Sequence, residues 1–145
     1  MRVAIASDHA GFEAKQNVIL SLKDQFQFLD LGPFSEERTD YPDYADKVAQ
    51  HILKNTEDMG ILICGSGQGM AMRANKYRHV RAALCWNDEL THLARAHNDA
   101  NILCLGGRVL DQKTLLSSIQ VFLNTPFEGG RHAQRVEKIS NSTGI

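Results

Sequence analysis

The sequence predicts an α/β protein, a three-layer, Rossmann-like sandwich in which a five-stranded parallel sheet carries helices on both faces. Three observations lead to this class. Short apolar runs alternate along the chain with longer segments of helical period. The apolar runs contain few polar residues, as expected for strands that are covered on both faces. The chain has no linker, low-complexity tract or internal repeat, so a single domain over residues 1–145 is expected.

The first half of the chain supplies three strands and two helices. The run RVAIAS at 2–7 predicts a first strand, and 12–24 predicts a helix because its apolar residues share roughly one face. FQFLDLG at 26–32 predicts a second strand. A helix is expected at 42–55, whose apolar stripe is Tyr44, Val48, Ile52 and Leu53. GILIC at 60–64 is wholly apolar and predicts the third strand.

The second half continues the alternation. A helix is expected at 69–77, a fourth strand at 80–86, a helix at 88–97, a fifth strand at 100–107 and a helix at 111–123. The segment 129–141 predicts a C-terminal helix. The longest irregular piece, 32–44, has two prolines and two tyrosines, which indicates a loop with a binding role.

Composition excludes several classes of partner. The chain has 16 basic and 17 acidic residues, which argues against non-specific nucleic-acid binding and against a charged membrane surface. No apolar run approaches the roughly 20 residues that cross a bilayer, and the N-terminus does not resemble a signal peptide. Three cysteines without paired spacing indicate reduced thiols in the cytoplasm and no structural zinc.

Polar residues gather where strands end, and in parallel sheets ligands bind at the carboxyl ends of strands. Asp8 and His9 follow the first strand, Cys64 ends the third, and Arg108 follows the fifth. The loop GSGQG at 65–69 lacks the spacing of a nucleotide-phosphate loop. Its backbone N–H groups at a helix start are suited to an oxyanion or a phosphate, although a plain tight turn is the alternative.

Cys64 is the candidate base or nucleophile. It stands last before the glycine loop, where amides and a helix N-terminus favour a thiolate. The alternative is that Cys64 is a small buried apolar residue, which is the role we assign to Cys85 and Cys104.

A second group of candidates lies near the ends of two helices. His97 is followed by Asn98 and Asp99, and this polar triplet is consistent with a role in proton transfer, with a simple helix cap as the alternative. Arg131 and Arg135 are four residues apart, so they are expected on one helical face. With His132 beside them, and Arg108 as a further candidate, they suit a phosphate. The alternative is a solvated basic face paired with Glu128 or Glu137.

Six stretches in this order resemble the ribose-5-phosphate isomerase B family, which includes the bacterial galactose-6-phosphate and allose-6-phosphate isomerases. They are SDHAGFEAK at 7–15, RTDYPDYA at 38–45, ICGSGQGMAMRANK at 63–76, HNDAN at 97–101, GGRV at 106–109 and GGRHAQR at 129–135. The resemblance implies an aldose–ketose isomerase that needs neither metal nor cofactor. It also implies a homodimer or homotetramer whose active sites take residues from both subunits.

The resemblance also implies roles for individual residues. Cys64 would be the base, because Met70 stands where another branch of the family has a glutamate, and Ser66 keeps the hydroxyl of the usual threonine. His97 would protonate the ring oxygen, and Asp8 would handle the anomeric hydroxyl. The remaining residues would bind substrate: His9, Arg108, Arg131, His132 and Arg135 the phosphate, Tyr41 and Asn98 the hydroxyls, and Gly65, Gly67 and Gly69 the enediolate oxygen.

Three alternatives stay open at this point. A six-carbon sugar phosphate would undergo the same ring opening and proton transfer, although galactose enzymes of this family usually need two different subunits. A non-catalytic module would bind a phosphorylated metabolite or nucleotide on the glycine loop. A metal-dependent enzyme would use Asp8, His9 and His97 as ligands.

Overall fold

The computed structural model describes residues 1–141 and confirms the α/β class. The strands are β1 (Val3–Ser7), β2 (Phe28–Asp30), β3 (Met59–Cys64), β4 (Ala82–Leu84) and β5 (Ile102–Gly106). The helices are α1 (Phe12–Leu22), α2 (Tyr41–Lys54), α3 (Gln68–Ala74), α4 (Asp88–Ala96), α5 (Gln112–Asn124) and α6 (Ala133–Ser140), the last preceded by a 3₁₀ turn, Gly130–His132. All strand pairs are parallel, in the order β2-β1-β3-β5-β4.

Alternation along the strands builds two apolar layers of different character. On one face of the sheet, side chains such as Val3 and Ile5 pack against α1, α4 and α5. On the other face, the small residues Ala4 and Ala6 pack with α2 and α3. The close approach of α2 is clearest at Gly60, where an added methyl carbon would lie 2.6 Å from Cγ1 of Val48. The sheet is therefore covered on both faces, as the apolar strands predicted.

The order of the strands opens a crevice at the carboxyl edge of the sheet. β1 and β3 are neighbours, but the chain leaves β1 towards α1 on one face and leaves β3 towards α3 on the other. Neighbouring strand ends whose connections depart to opposite faces leave a gap between them, and ligands of open α/β sheets bind there.

Three expectations about the elements need correction. The second and fourth strands are shorter than predicted, because β2 and β4 lie at the sheet edges and each pairs with its single neighbour over three residues. The C-terminal helix starts late, since Gly129 and Gly130 have φ of +65° and +56°, which an α-helix does not accept. Arg131 lies in the 3₁₀ turn and Arg135 in α6, and the two residues that follow Arg131, His132 and Ala133, have helical backbone angles.

Among residues 1–141, no helix combines the length and apolar character needed to cross a membrane.

Candidate active site

The crevice brings the ends of β1 and β3 side by side. Ser7 pairs with Ile63 in the sheet, and the N–H of Asp8 donates to the carbonyl of Ile63 at 3.3 Å. Asp8 therefore follows directly beside Cys64. This juxtaposition is the one predicted from residues that follow parallel strands.

The sulfur of Cys64 is bound by a backbone donor. Cys64 is 5% exposed and lies on the α2/α3 face of the sheet. Its Sγ accepts the N–H of Gly67 at 3.2 Å. Gly67 has φ +80°, and an added methyl carbon would lie 2.7 Å from Cδ1 of Leu84, so only glycine fits at this turn. An amide donor at a helix start stabilises negative charge on sulfur.

The other two cysteines, Cys85 and Cys104, lie in the apolar layers. Burial raises the pKa of the Cys85 thiol, and burial also raises the pKa of Cys104, which is completely enclosed. Both side chains therefore stay neutral and fill space in the two apolar layers.

The glycine loop continues into α3 and contacts Tyr41. Ser66 is exposed at the lip of the loop, and its Oγ accepts the N–H of Gln68 at 3.4 Å. At Gly69, an added methyl carbon would lie 2.6 Å from Cε2 and Cζ of Tyr41, so the ring rests against the loop. The amides in the first turn of a helix have no intrahelical acceptor, which leaves donors here for an oxyanion.

Asp8 and His9 are held in fixed orientations. Asp8 is 6% exposed, and its Oδ1 accepts the N–H of Gly11 at 2.9 Å. The N–H of His9 donates to Oγ1 of Thr39 at 3.2 Å, and its Nδ1 lies 3.2 Å from both the N and the O of Thr39. This arrangement leaves Nε2 of His9 as the ring nitrogen that is available to a ligand.

Two cavities meet at His9. One, of about 390 Å³, is lined by Asp8, Thr39 and Tyr41, among others. The second, of about 470 Å³, includes Arg108. The N–H of Arg108 donates to the carbonyl of Gly65 at 3.1 Å, and its Nη1 would lie 4.0 Å from a methyl carbon added at Gly65. The crevice thus has a carboxylate at one end and a guanidinium at the other, an arrangement suited to a small polyhydroxylated anion.

Three residues that line or support this crevice were missed by the sequence analysis. Thr39 orients His9, and Arg38 adds a cation to the cavity of Asp8. Lys15 is fully buried, and its Nζ donates to Oδ1 of Asp30 and to the carbonyl of Pro33, both at 2.6 Å. Lys15 thereby fixes the loop that carries Thr39. The only sequence signal was their presence within two of the resembling stretches, 7–15 and 38–45.

The remaining predicted site residues lie at the opposite, amino edge of the sheet. β5 separates the two edges, and at roughly 3.3 Å per residue its length is on the order of 15 Å. The expectation that Arg108 joins the other arginines is therefore wrong within one chain, because Arg108 follows β5 while the others lie near its start. We call this second group the amino-edge cluster: His97, Asn98, Arg131, His132 and Arg135.

Two histidines form the centre of the amino-edge cluster. The rings of His97 and His132 stack with centroids 4.2 Å apart and planes inclined by 14°. Oε2 of Glu128 lies 3.7 Å from Nε2 of His97 and 3.5 Å from Nε2 of His132. Burial lowers the pKa of His132, and the neighbouring His97 and Arg131 lower it further. Glu128, expected as an alternative partner of the arginines, contacts the histidines.

These three side chains are also the described residues that come nearest to a metal-binding group. The ligand atoms of His97, Glu128 and His132 lie within 4.8 Å of one another. However, the two rings are nearly parallel, so their nitrogen lone pairs run side by side and do not converge on one point. A site made of Asp8, His9 and His97 cannot form within one chain, because His97 lies at the other edge.

A larger cavity, about 840 Å³, lies away from the crevice. It runs from the end of α3 to the end of α6, and Asn98 is the one predicted site residue that lines it. Asn141, the last residue that the structure describes, is part of its lining. We therefore assign the candidate site to the crevice, where the predicted polar side chains converge.

Comparisons with known proteins agree on one family. The chain matches the model described as Ribose/Galactose Isomerase over residues 3–139. It is 40% identical over 140 residues to ribose-5-phosphate isomerase B of Escherichia coli, covering 96% of this chain and 94% of that protein. A ribose 5-phosphate isomerase structure from Thermotoga maritima superposes with a TM-score of 0.93 at 51% identity, covering 96% and 97% of the two chains. Ribose-5-phosphate isomerase B from Mycoplasma genitalium, solved with bound ribulose-5-phosphate, gives 0.91 at 44% identity, covering 96% and 93%.

Proposed function

The chain belongs to the ribose/galactose isomerase family, and from that premise we propose that it interconverts D-ribose 5-phosphate and D-ribulose 5-phosphate. The reaction is an aldose–ketose isomerisation carried out by one domain over residues 1–145. The observation that carries the proposal is the Gly67 N–H bound to Sγ of Cys64 at the head of the crevice. A base and an oxyanion-binding loop are the two parts that this reaction requires.

In the proposed mechanism, Cys64 transfers the proton. The thiolate removes the proton from carbon 2 of the open-chain aldose and returns it to carbon 1, through a cis-enediolate. The negative oxygen of that intermediate is bound by the amides of the loop from Gly65 to Gly69 and by the Ser66 hydroxyl. No redox step and no metal is needed for this transfer. Loss of the base is expected to lower the rate by about 10²–10⁴.

Ring opening and phosphate binding require both clusters. Asp8 lies beside Cys64 where β1 and β3 end, whereas His97, its proposed partner in ring opening, lies at the other edge of the sheet. We therefore propose a homodimer or homotetramer in which a second subunit brings its amino-edge cluster to the crevice. The phosphate then lies between His9 and Arg108 on one side and the arginines of that cluster on the other, and Tyr41 and Asn98 bind sugar hydroxyls.

A six-carbon substrate is the second candidate. The matching family includes galactose isomerases by description, and the proton transfer is the same for allose 6-phosphate and galactose 6-phosphate. A five-carbon substrate is favoured because the Escherichia coli relative is named ribose-5-phosphate isomerase B and the Mycoplasma genitalium structure holds ribulose-5-phosphate. We also propose a cytoplasmic location, because three free thiols are typical of a reducing compartment.

The test is a coupled isomerase assay with a chelator present, run on the three sugar phosphates. Wild type should turn over ribose 5-phosphate best, and Cys64→Ala should lose about 10²–10⁴ in kcat with little change in KM. Cys104→Ala is the matched control, since it removes a sulfur from the same apolar layer one strand away. Wild-type turnover in Cys64→Ala would refute the mechanism, and turnover of none of the sugars would refute the function.

Sharing of sites between subunits has a separate test. Cys64→Ala changes only the crevice, and Arg135→Ala changes only the amino-edge cluster. The assay uses ribose 5-phosphate well below KM, because Arg135→Ala is expected to act mainly on KM and lowers the rate there. If sites are shared in a dimer, subunit exchange between the two variants gives mixed dimers with one intact site each. Activity should then recover to about one quarter of wild type. If each chain holds a whole site, mixing recovers nothing.

A further inference from the structure

Asp99 has a left-handed backbone between α4 and β5. Its φ of +48° is the only positive value at a non-glycine residue within residues 1–141. Few residues with a side chain adopt this left-handed conformation, and Asp and Asn are among those that do. Here two guanidinium groups bind the carboxylate: Nη1 of Arg95 lies 2.9 Å from Oδ1, and Nη2 of Arg81 lies 3.0 Å from Oδ2.

Arg95 links this turn to the chain segment that enters the C-terminal region. The side chain is 7% exposed. Its Nη1 also donates to the carbonyl of Ala100 at 2.7 Å, and its Nε donates to the carbonyl of Thr125 at 3.2 Å. The N–H of Glu128 donates to the carbonyl of Ala96 at 3.0 Å, so the segment 125–128 is attached at two points to the end of α4.

Arg81 links the same turn to the other end of that region. Its Nε donates to the carbonyl of Asp99 at 2.8 Å, and its Nη1 donates to Oγ of Ser140, the last residue of α6, at 3.2 Å. Nε of Arg78 donates to the carbonyl of Ser140 at 2.9 Å. The segment from 125 to 140, which carries the arginines and one histidine of the amino-edge cluster, is thus fixed at both ends.

We propose that Asp99, Arg95 and Arg81 are positioning residues that set His132 and its neighbouring arginines against His97. We call these three residues the aspartate clamp. Two guanidiniums meet on one carboxylate, and each reaches a different end of the segment 125–140. The clamp therefore converts the turn that presents His97 and the segment that presents His132 into one rigid unit. Its catalytic consequence rests on the proposed function, whereas its effect on the histidine stack does not.

The opposing interpretation is that the clamp only stabilises the fold. The two interpretations differ in what happens to His132. The charged groups that face His132 are His97 at the end of α4, Glu128 in the preceding loop, and Arg131 and Arg135 on either side of it. Burial is the main reason that its pKa is lowered. A stack that opens exposes the ring to water, and its titration midpoint must then rise towards the ordinary value.

The experiment compares Asp99→Asn with Asp46→Asn in the full-length protein. Asparagine tolerates the left-handed backbone but loses the charge that both guanidiniums bind. Asp46 forms a comparable two-point pair with Arg73, at 2.7 and 2.8 Å, between α2 and α3 and away from both histidines. Proton NMR of the imidazole rings against pH, with His132→Asn to assign the signals, follows the stack directly. For each variant, kcat/KM on ribose 5-phosphate and the free energy of unfolding in urea are measured as well.

Asp99→Asn should raise the His132 midpoint and lower kcat/KM by about 10–100-fold, as expected for a misplaced catalytic group. Asp46→Asn should leave the His132 midpoint unchanged and kcat/KM within twofold of wild type. An unchanged His132 midpoint with kcat/KM equal to that of the control would overturn the proposal. If wild type does not isomerise ribose 5-phosphate, the proposed function fails, but the midpoint still decides whether the clamp holds the stack. If Asp99→Asn does not fold, Arg81→Gln removes one arm and is judged by the same measurements.

Discussion

A methyl group at Gly69 tests whether Tyr41 must rest against the glycine loop. In Gly69→Ala the new carbon would start 2.6 Å from Cε2 and Cζ of Tyr41, whereas carbon atoms in contact are about 3.5 Å apart. The ring must therefore move by about 1 Å. Because the ring lies at the surface and Tyr41 is 41% exposed, it can turn outwards without disturbing the core.

The effects on stability and on rate differ in size. Alanine in place of glycine in a helix gains up to about 1 kcal/mol, and overpacking costs about 1–3 kcal/mol. The free energy of unfolding should therefore fall by about 0–2 kcal/mol. A displacement of about 1 Å at a substrate-positioning group costs about 100-fold in rate, which corresponds to about 2.7 kcal/mol. Gly69→Ala should thus remain folded and lose most of its activity.

The assay is a double-mutant cycle on kcat/KM for ribose 5-phosphate, with urea denaturation of each variant. The cycle contains Gly69→Ala, Tyr41→Ala and the double variant. If the methyl group acts by displacing the ring, Gly69→Ala has little further effect once the ring is gone. Full additivity of the two losses would refute this reasoning, because the methyl group would then act on the substrate or on the loop itself.

Three further predictions concern reactivity, acid stability and anchoring. Iodoacetamide at pH 8 should label Cys64 alone and abolish turnover in parallel, because burial raises the pKa of Cys85 and of Cys104; mass spectrometry that finds either of these labelled first would contradict this. Burial would by itself raise the pKa of Asp58, but hydrogen bonds from a backbone N–H and a histidine hold that pKa below its usual value. Its carboxylate therefore stabilises the fold above about pH 4, and this stabilisation is lost as the pH falls. In Asp58→Asn the free energy of unfolding, measured by urea denaturation, should fall less steeply between about pH 5 and pH 2 than in wild type. A slope equal to that of wild type would contradict this. Lys15→Met should lower the free energy of unfolding by about 2 kcal/mol, because it leaves a carboxylate and a carbonyl that the buried ammonium now binds at 2.6 Å; an unchanged urea midpoint would contradict this.

The fold was predictable because its signals are local. Apolar runs mark strands such as β3, and helical spacing of apolar residues marks α2, whatever lies elsewhere in the chain. The lengths of β2 and β4 were not predictable in this way. They depend on which strands lie at the sheet edges, and the order β2-β1-β3-β5-β4 is set by packing between distant segments.

The residues of the crevice and those of the amino-edge cluster also differ in how far their positions could be predicted from local signals. Asp8 and Cys64 directly follow parallel strands, so a rule about strand ends is enough to bring them together. His97 precedes β5, and that alone places it at the opposite edge from Arg108. Chemical type alone groups these residues, but it carries no information on the direction of the strand between them. The position of Thr39 could not be predicted by such a rule. Its place beside His9 depends on the path of a loop, and that loop is anchored by Lys15 of α1.

The unequal filling of the two faces of the sheet has a consequence for laboratory evolution. Gly60 and Val48 are packed so closely that a larger side chain at either position would push α2 outwards. The first residue of α2 is Tyr41. On the α1/α5 side, bulky residues such as Ile119 offer many ways to repack without moving that tyrosine. Variants selected only for heat resistance should accumulate on the α1/α5 side, whereas those selected for a new sugar should gather beneath α2.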